Sequence, residues 1–133
     1  MVQETVLIVE DDATIRNTLQ AVLQSQWYHT IVARDGQEAL EIIPKLPEPT
    51  VILLDYMMPR VNGYGVLRDL ADHPEKRDDH PIFLLTANVS QMTPDMVRLL
   101  GEQRIPVLLK PFDLEAVIRE VSTAFARIRG PQP

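Results

Sequence analysis

Glu10, Asp11, Asp12, Asp55, Thr86 and Lys110 are the residues of this 133-residue chain whose types and placing can do chemistry. Four short apolar runs lead straight into them: Val6-Leu7-Ile8-Val9 into Glu10-Asp11-Asp12, Val51-Ile52-Leu53-Leu54 into Asp55, Ile82-Phe83-Leu84-Leu85 into Thr86, and Val107-Leu108-Leu109 into Lys110. Carboxylates gathered in one place repel one another. A hard divalent cation bound through oxygen relieves that repulsion, and Mg²⁺ is the usual ion beside phosphates. An ammonium group such as that of Lys110 neutralises a phosphate oxygen, and a hydroxyl such as that of Thr86 donates a hydrogen bond to another. Together these groups compose a phosphoryl site in which Asp55 is the nucleophile, forming an acyl phosphate while the metal screens attacking and departing charge.

Such a site needs elements that deliver all four runs to one edge. With a fifth run, Thr30-Ile31-Val32-Ala33, the apolar stretches are too short for ordinary helices and mostly rich in β-branched residues, so five strands are expected. Between them the apolar residues fall at helical spacing: Ile15, Leu19, Val22 and Leu23, then Ala39, Leu40 and Ile43, then Val66, Leu67 and Leu70, then Met96, Val97 and Leu100. The last helix is the most regular, with Leu114, Val117, Ile118, Val121, Phe125 and Ile128 on one stripe and Asp113 as its N-cap. Pro44, Pro47 and Pro49 end the second helix early and predict a stiff, extended connection over residues 44–49. Strands apolar on both faces, alternating with helices, predict a doubly wound α/β domain with a covered parallel sheet. In such folds ligands bind at the carboxyl ends of the strands.

Each of these residues also has a plainer role. Acidic residues after a strand cap the next helix and favour its dipole, a reading of Glu10-Asp11-Asp12 that stands beside metal binding. A lone Asp after an apolar strand is commonly a cap or turn residue, and a lone Thr or Lys says little. The conjunction of all four is what points to chemistry.

The segments Leu7-Ile-Val-Glu-Asp-Asp12, Asp55-Tyr-Met-Met-Pro-Arg-Val-Asn-Gly63, Pro81-Ile-Phe-Leu-Leu-Thr-Ala87 and Lys110-Pro-Phe112 resemble the successive signatures of receiver domains of two-component response regulators, over nearly the whole chain. The resemblance implies a flavodoxin-like five-stranded sheet in the order 2-1-3-4-5 with helices on both faces. It implies phosphorylation of Asp55 by a histidine kinase or a histidine phosphotransfer protein, with catalysis limited to the chain's own phosphorylation and dephosphorylation, so not an enzyme in the ordinary sense. Mg²⁺ would be held by Glu10, Asp11, Asp55 and the backbone carbonyl of Met57, with Thr86 and Lys110 as the hydroxyl and lysine of the pattern. Asp12 lies one step beyond the acidic pair and is read as a first-turn helix acid. Lys110-Pro111 matches a bond usually cis in the family, against about 5% for X–Pro bonds in general. Pro59 and Gly63 would shape the loop after Asp55, Pro59 by fixing a turn and Gly63 by permitting a positive φ or a close backbone approach.

In one place the chain departs from the pattern. The family usually carries Tyr or Phe three residues before its lysine, and here that residue is Val107, after Ile105-Pro106. The aromatic that turns inward on phosphorylation is missing, so the switch formed by Thr86 and this position is altered. Asn88-Val-Ser-Gln-Met-Thr93, polar and predicted to be a mobile loop, is the alternative moving part. Two other functions compete. A phosphatase of the haloacid dehalogenase type would need a second Asp two residues after Asp55, where Met57 stands. A receiver-fold binding module with a weakened switch is favoured by Val107 and opposed by Asp55, Thr86 and Lys110.

Composition narrows the setting. Apolar residues make up 45% and charged residues 24% of the chain, as in ordinary globular domains. A formal charge of −6 repels nucleic acid and anionic lipid, so no direct nucleic-acid partner is expected. No apolar run approaches the roughly 20 residues of a membrane helix, and no signal peptide is readable, so a cytoplasmic location without membrane contact is expected. The absence of cysteine excludes disulfides and thiolate chemistry. Residues 1–129 read as one receiver domain and 130–133 as a C-terminal tail or the start of a linker. With no output domain after residue 129, signalling is expected through protein contact, on a face made of the fourth helix, the fifth strand and the fifth helix.

Overall fold

The computed structural model describes residues 3–47, 49–77 and 80–130. Five strands, β1 (Thr5–Val9), β2 (His29–Ala33), β3 (Thr50–Asp55), β4 (Ile82–Thr86) and β5 (Val107–Leu109), form one sheet in the order β2-β1-β3-β4-β5. Every pairing is parallel. The helices α1 (Ala13–Ser25), α2 (Gly36–Ile42), α3 (Gly63–Asp72) and α4 (Pro94–Glu102) lie in the connections, and α5 (Leu114–Arg129) follows β5. This is the flavodoxin-like arrangement expected from the sequence.

Strand alternation divides the core in two. Val6, Ile8, Val51, Leu53, Phe83 and Leu85 face α1 and α5, meeting Leu19, Leu23, Val117, Val121 and Phe125. Leu7, Val9, Ile52, Leu54, Ile82 and Leu84 face the other way, onto Ala39 of α2, Val66, Leu67 and Leu70 of α3, and Leu99 and Leu100 of α4. Both faces of the three central strands are therefore dry, which is why these runs read as continuous rather than alternating apolar sequence. Side-chain caps start the helices: Asp12 accepts from the Ile15 N–H, Asp35 from Glu38, Asn62 from Gly65, Thr93 from Met96 and Asp113 from Glu115. Asp12 is thus the N-cap of α1, one step before the first turn.

Several details differ from the sequence expectations. Asp55 and Thr86 are the last residues of β3 and β4 rather than the first residues beyond them, because the ladder runs on through Asp55↔Leu85 and Thr86↔Leu109. Pro44 does not begin an extended connection: Ile43–Lys45 is a 3₁₀ turn with Pro44 near its start, where a missing N–H costs nothing, and the backbone becomes extended only at Leu46. Glu48, within that connection, lies outside the described residues. In α4 the buried residues are Met96, Leu99 and Leu100, while Val97 is exposed, since the helix turns a different stripe inward. Ile128, at the end of the α5 stripe, is partly exposed. A single helical turn at Pro74–Arg77 had no periodic signal to announce it. Among the described residues no helix is long and apolar enough to cross a membrane.

Candidate functional site

The same alternation that builds the core aims the site. Glu10 extends the Val6–Ile8 series, Asp55 the Val51–Leu53 series and Lys110 follows Leu108, so all three continue the face that carries α1 and α5. Register sets them side by side, since Val9 pairs with Leu54 and Lys110 donates its backbone N–H to the Thr86 carbonyl at 2.8 Å. Lys110 Nζ then donates to Glu10 Oε1 at 2.8 Å and to Asp55 Oδ1 at 2.9 Å. Glu10 is fully buried and Asp55 only 3% exposed, so these are charged contacts largely out of water. Asp11 lies at the exposed rim, yet one oxygen from each of Glu10, Asp11 and Asp55 falls within 4.8 Å of the others.

Three carboxylates around one ammonium leave an unbalanced cluster. Burial, reinforced by Asp55 alongside and only partly opposed by Lys110, pushes the Glu10 carboxyl from 4.5 up to about 8. Burial and the Asp55 carboxylate also raise Asp11. For Lys110, burial alone would lower the pKa, but hydrogen bonds to Glu10 and Asp55 outweigh it and hold the ammonium above its usual value. Glu10 Oε2 is buried and has no hydrogen-bond partner among the described residues. As carboxylates, Glu10 and Asp55 can only accept, so this oxygen is satisfied by a proton or by a cation. An oxygen-only donor set with one orphaned buried acceptor suits a hard divalent ion.

Thr86 stands at the same edge with its hydroxyl buried, but that hydroxyl accepts from the Asn88 N–H at 3.3 Å instead of joining the carboxylate cluster. Met57 lies on the loop after Asp55 with its side chain exposed. Pro59 precedes Arg60, whose backbone takes a positive φ of 65°. Gly63 closes this loop by close approach rather than by a positive φ: its N–H donates to the Tyr56 carbonyl at 2.9 Å, and a Cβ there would lie 2.6 Å from the Asp55 carbonyl oxygen. The Lys110–Pro111 bond is cis. Val107 is half-buried and packs against the core beneath α4, as does Met92. Residues 88–93 contain a 3₁₀ turn, Val89–Gln91, capped by the Asn88 side chain.

Two contributors escaped the sequence reading. Arg16 of α1 donates from Nη1 to the Glu10 carbonyl at 3.0 Å and to the Asp11 carbonyl at 3.4 Å, yet in the sequence it is one scattered arginine. Gly36 lets the start of α2 lie against the loop after Asp55, where a Cβ would come within 2.0 Å of the Val61 carbonyl oxygen. No local pattern signals that long-range contact.

The chain is similar to known proteins. The Response regulator receiver domain family profile matches residues 6–122. The chain is 40% identical over 124 residues to a probable transcriptional regulator ycf27 of Porphyridium aerugineum, covering 91% of this chain and 49% of that protein. It is 32% identical over 123 residues to response regulator RR06 of Streptococcus pneumoniae, covering 92% of this chain and 53% of that protein. The chain therefore spans about half the length of these curated relatives. Among solved structures, a CheY-like response regulator receiver domain protein from Methanospirillum hungatei superposes with a TM-score of 0.82 at 28% identity, covering 96% of this chain and 98% of that one. A family match along most of the chain, a sheet in the 2-1-3-4-5 order and an acidic cluster at its carboxyl edge agree, and the chain belongs to the response regulator receiver domain family, the signalling proteins of two-component systems.

Proposed function

We propose that Asp55 is the phosphoacceptor of this receiver, charged by a histidine kinase or a histidine phosphotransfer protein. The observation that carries the reading is the buried cluster in which one ammonium serves two carboxylates and a third oxygen is left unsatisfied. Glu10, Asp11 and Asp55, with the Met57 carbonyl, would hold Mg²⁺, which when bound offsets the repulsion between the carboxylates and the incoming phosphoryl oxygens. An Asp55 carboxylate oxygen attacks phosphorus. The O–P bond forms, the donor's P–N bond breaks, and the electron pair returns to the imidazole, giving an acyl phosphate and a free histidine. Lys110, already at Asp55 Oδ1, is placed to pair with a phosphoryl oxygen, and the Thr86 hydroxyl donates to another once it turns from Asn88. Beside Lys110 an apolar groove of about 470 Å³, lined by Ile15, Leu19, Pro111, Phe112 and Leu114 among others, offers the donor protein a surface.

In this reading residues 1–129 act as one domain, located in the cytoplasm where phosphohistidine is made from ATP, and output passes by contact with a target protein. Catalysis is confined to the chain's own phosphorylation and dephosphorylation. Met57, where a phosphatase of the haloacid dehalogenase type needs its acid, supplies no proton to a leaving group. Intact-mass measurement after incubation with acetyl phosphate and Mg²⁺ tests the assignment. The wild-type chain gains one phosphoryl group, whereas Asp55→Asn and Asp55→Ala gain none; equal gain in all three refutes it. Failure of the wild type to gain mass would favour the binding-module reading that Val107 suggests.

A further inference from the structure

Arg16 lies one turn into α1, with its backbone N–H on the Asp12 carbonyl at 2.9 Å. Its side chain turns back over the start of the helix, and Nη1 donates to the carbonyls of Glu10, at 3.0 Å, and Asp11, at 3.4 Å. These are the two residues whose carboxylates converge with Asp55. The rest of the acidic segment is already pinned: the Glu10 N–H donates to the Ala33 carbonyl of β2 at 3.0 Å, and the Asp12 side chain caps α1 through the Ile15 N–H at 3.0 Å. Arg16 adds a restraint on the two carbonyls between those anchors. Glu10 is fully buried and fixed by Lys110, but Asp11 is exposed, so rotation of the peptide joining them moves the Asp11 carboxylate in or out of the cluster. A guanidinium suits that task, because it stays protonated and offers several donors in a fixed plane.

Charge alone argues for the opposite effect. A permanent positive charge close to a cation site weakens cation binding, so an arginine here must help by geometry if it helps at all. We propose that Arg16 is a positioning residue of the cation site, fixing the Glu10 and Asp11 carbonyls so that the Asp11 carboxylate keeps its place beside Glu10 and Asp55. The proposal rests on reading that cluster as a Mg²⁺ site.

Calorimetric titration of Mg²⁺ into the folded full chain separates the two effects. In Arg16→Met the Mg²⁺ dissociation constant rises about tenfold, the lower end of what residues orienting metal ligands contribute. Arg16→Lys keeps the charge but presents a single ammonium instead of a planar fork, and shows a smaller rise. Thermal unfolding in EDTA establishes that each variant is folded; if Arg16→Met is not, Arg16→Lys carries the test. Affinity equal to or tighter than wild type in the folded variant overturns the positioning role. Absence of Mg²⁺ binding by the wild-type chain overturns instead the reading of the cluster on which the role depends.

Discussion

Replacing Gly63 by Ala adds one methyl group at the joint between the phosphoacceptor strand and α3. The new Cβ would lie 2.6 Å from the Asp55 carbonyl oxygen, 2.8 Å from Tyr56 Cα and 3.2 Å from the Asp55 carbonyl carbon. All three obstacles are backbone, so no flexible side chain can move aside. Nor can the strand yield easily, because Asp55 pairs with Leu85 and the Tyr56 N–H donates to the Leu85 carbonyl at 2.9 Å. Helix α3 must therefore back away by several tenths of an ångström, stretching the Gly63 N–H to Tyr56 carbonyl bond. Overpacking of this kind costs about 1–3 kcal/mol, partly offset by the roughly 0.5–1 kcal/mol that Ala gains over Gly through a less flexible unfolded chain. The net expectation is a loss of up to about 2.5 kcal/mol. The same substitution at Gly101, in the last turn of α4, meets nothing within 4 Å and should stabilise by about 0.5–1 kcal/mol. Urea unfolding followed by circular dichroism, compared at equal m-value, reads both changes. If Gly63→Ala is as stable as wild type, or if the two variants shift the midpoint in the same direction, the close-approach argument is wrong.

Three further outcomes are expected. In EDTA, Glu10 carries its proton in the folded chain up to about pH 8 but loses it near 4.5 when unfolded, so stability falls as pH rises, by at most about 1.4 kcal/mol per unit between 5 and 8; urea midpoints across that range should slope in wild type and flatten in Glu10→Gln, and parallel slopes would contradict the buried-carboxyl account. Asp11→Ala should weaken Mg²⁺ binding, since a hard cation loses a charged ligand, and unchanged affinity by calorimetry would place the ion elsewhere. With beryllofluoride as phosphate mimic, NMR shifts should be larger for residues 86–95 than for 104–110; equal shifts in both segments would exclude a displaced switch.

Much of this is legible in the sequence, for a physical reason. Strand parity and strand-end position are local properties of sequence, and in a parallel sheet they dictate where side chains emerge; Glu10, Asp55 and Lys110 meet because each ends a run whose alternate residues share one face. What could not be read is what depends on distant backbone. The loop after Asp55 places Arg60 at a φ of 65°, where Gly or Asn is the expected residue, and its exposed guanidinium reaches the half-buried Asp35 at 3.6 Å in an ion pair too weak to dictate the loop's path. Gly36 against Val61 and Arg16 against the Glu10 and Asp11 carbonyls are likewise contacts between segments with no shared pattern. Val97 was misplaced because a helix of nine residues carries too few apolar positions to decide between adjacent stripes.

The two faces of the sheet also divide the labour of a signal. The carboxylates and Lys110 continue the α1–α5 face, whereas Thr86 continues the series Ile82–Leu84 that packs under α4, with Val107 on the same side. If Asp55 is phosphorylated as proposed, Thr86 is the residue through which that event would reach the opposite face. Its hydroxyl is bonded to the Asn88 N–H, and the Asn88 side chain in turn accepts from the Ser90 N–H at 2.9 Å, holding the 3₁₀ turn Val89–Gln91. Turning the Thr86 hydroxyl toward a phosphoryl oxygen weakens the first of these bonds and loosens the cap that depends on it. Val107, β-branched and half-buried, has few rotamers with which to answer. Met92, packed against the same core at the end of the turn, has an unbranched side chain with three rotatable bonds and can repack at little cost. On the proposed reading the displacement would run along the backbone from residue 86 to residue 92 and reach α4 at its Thr93 cap, instead of crossing to β5 through a swinging ring.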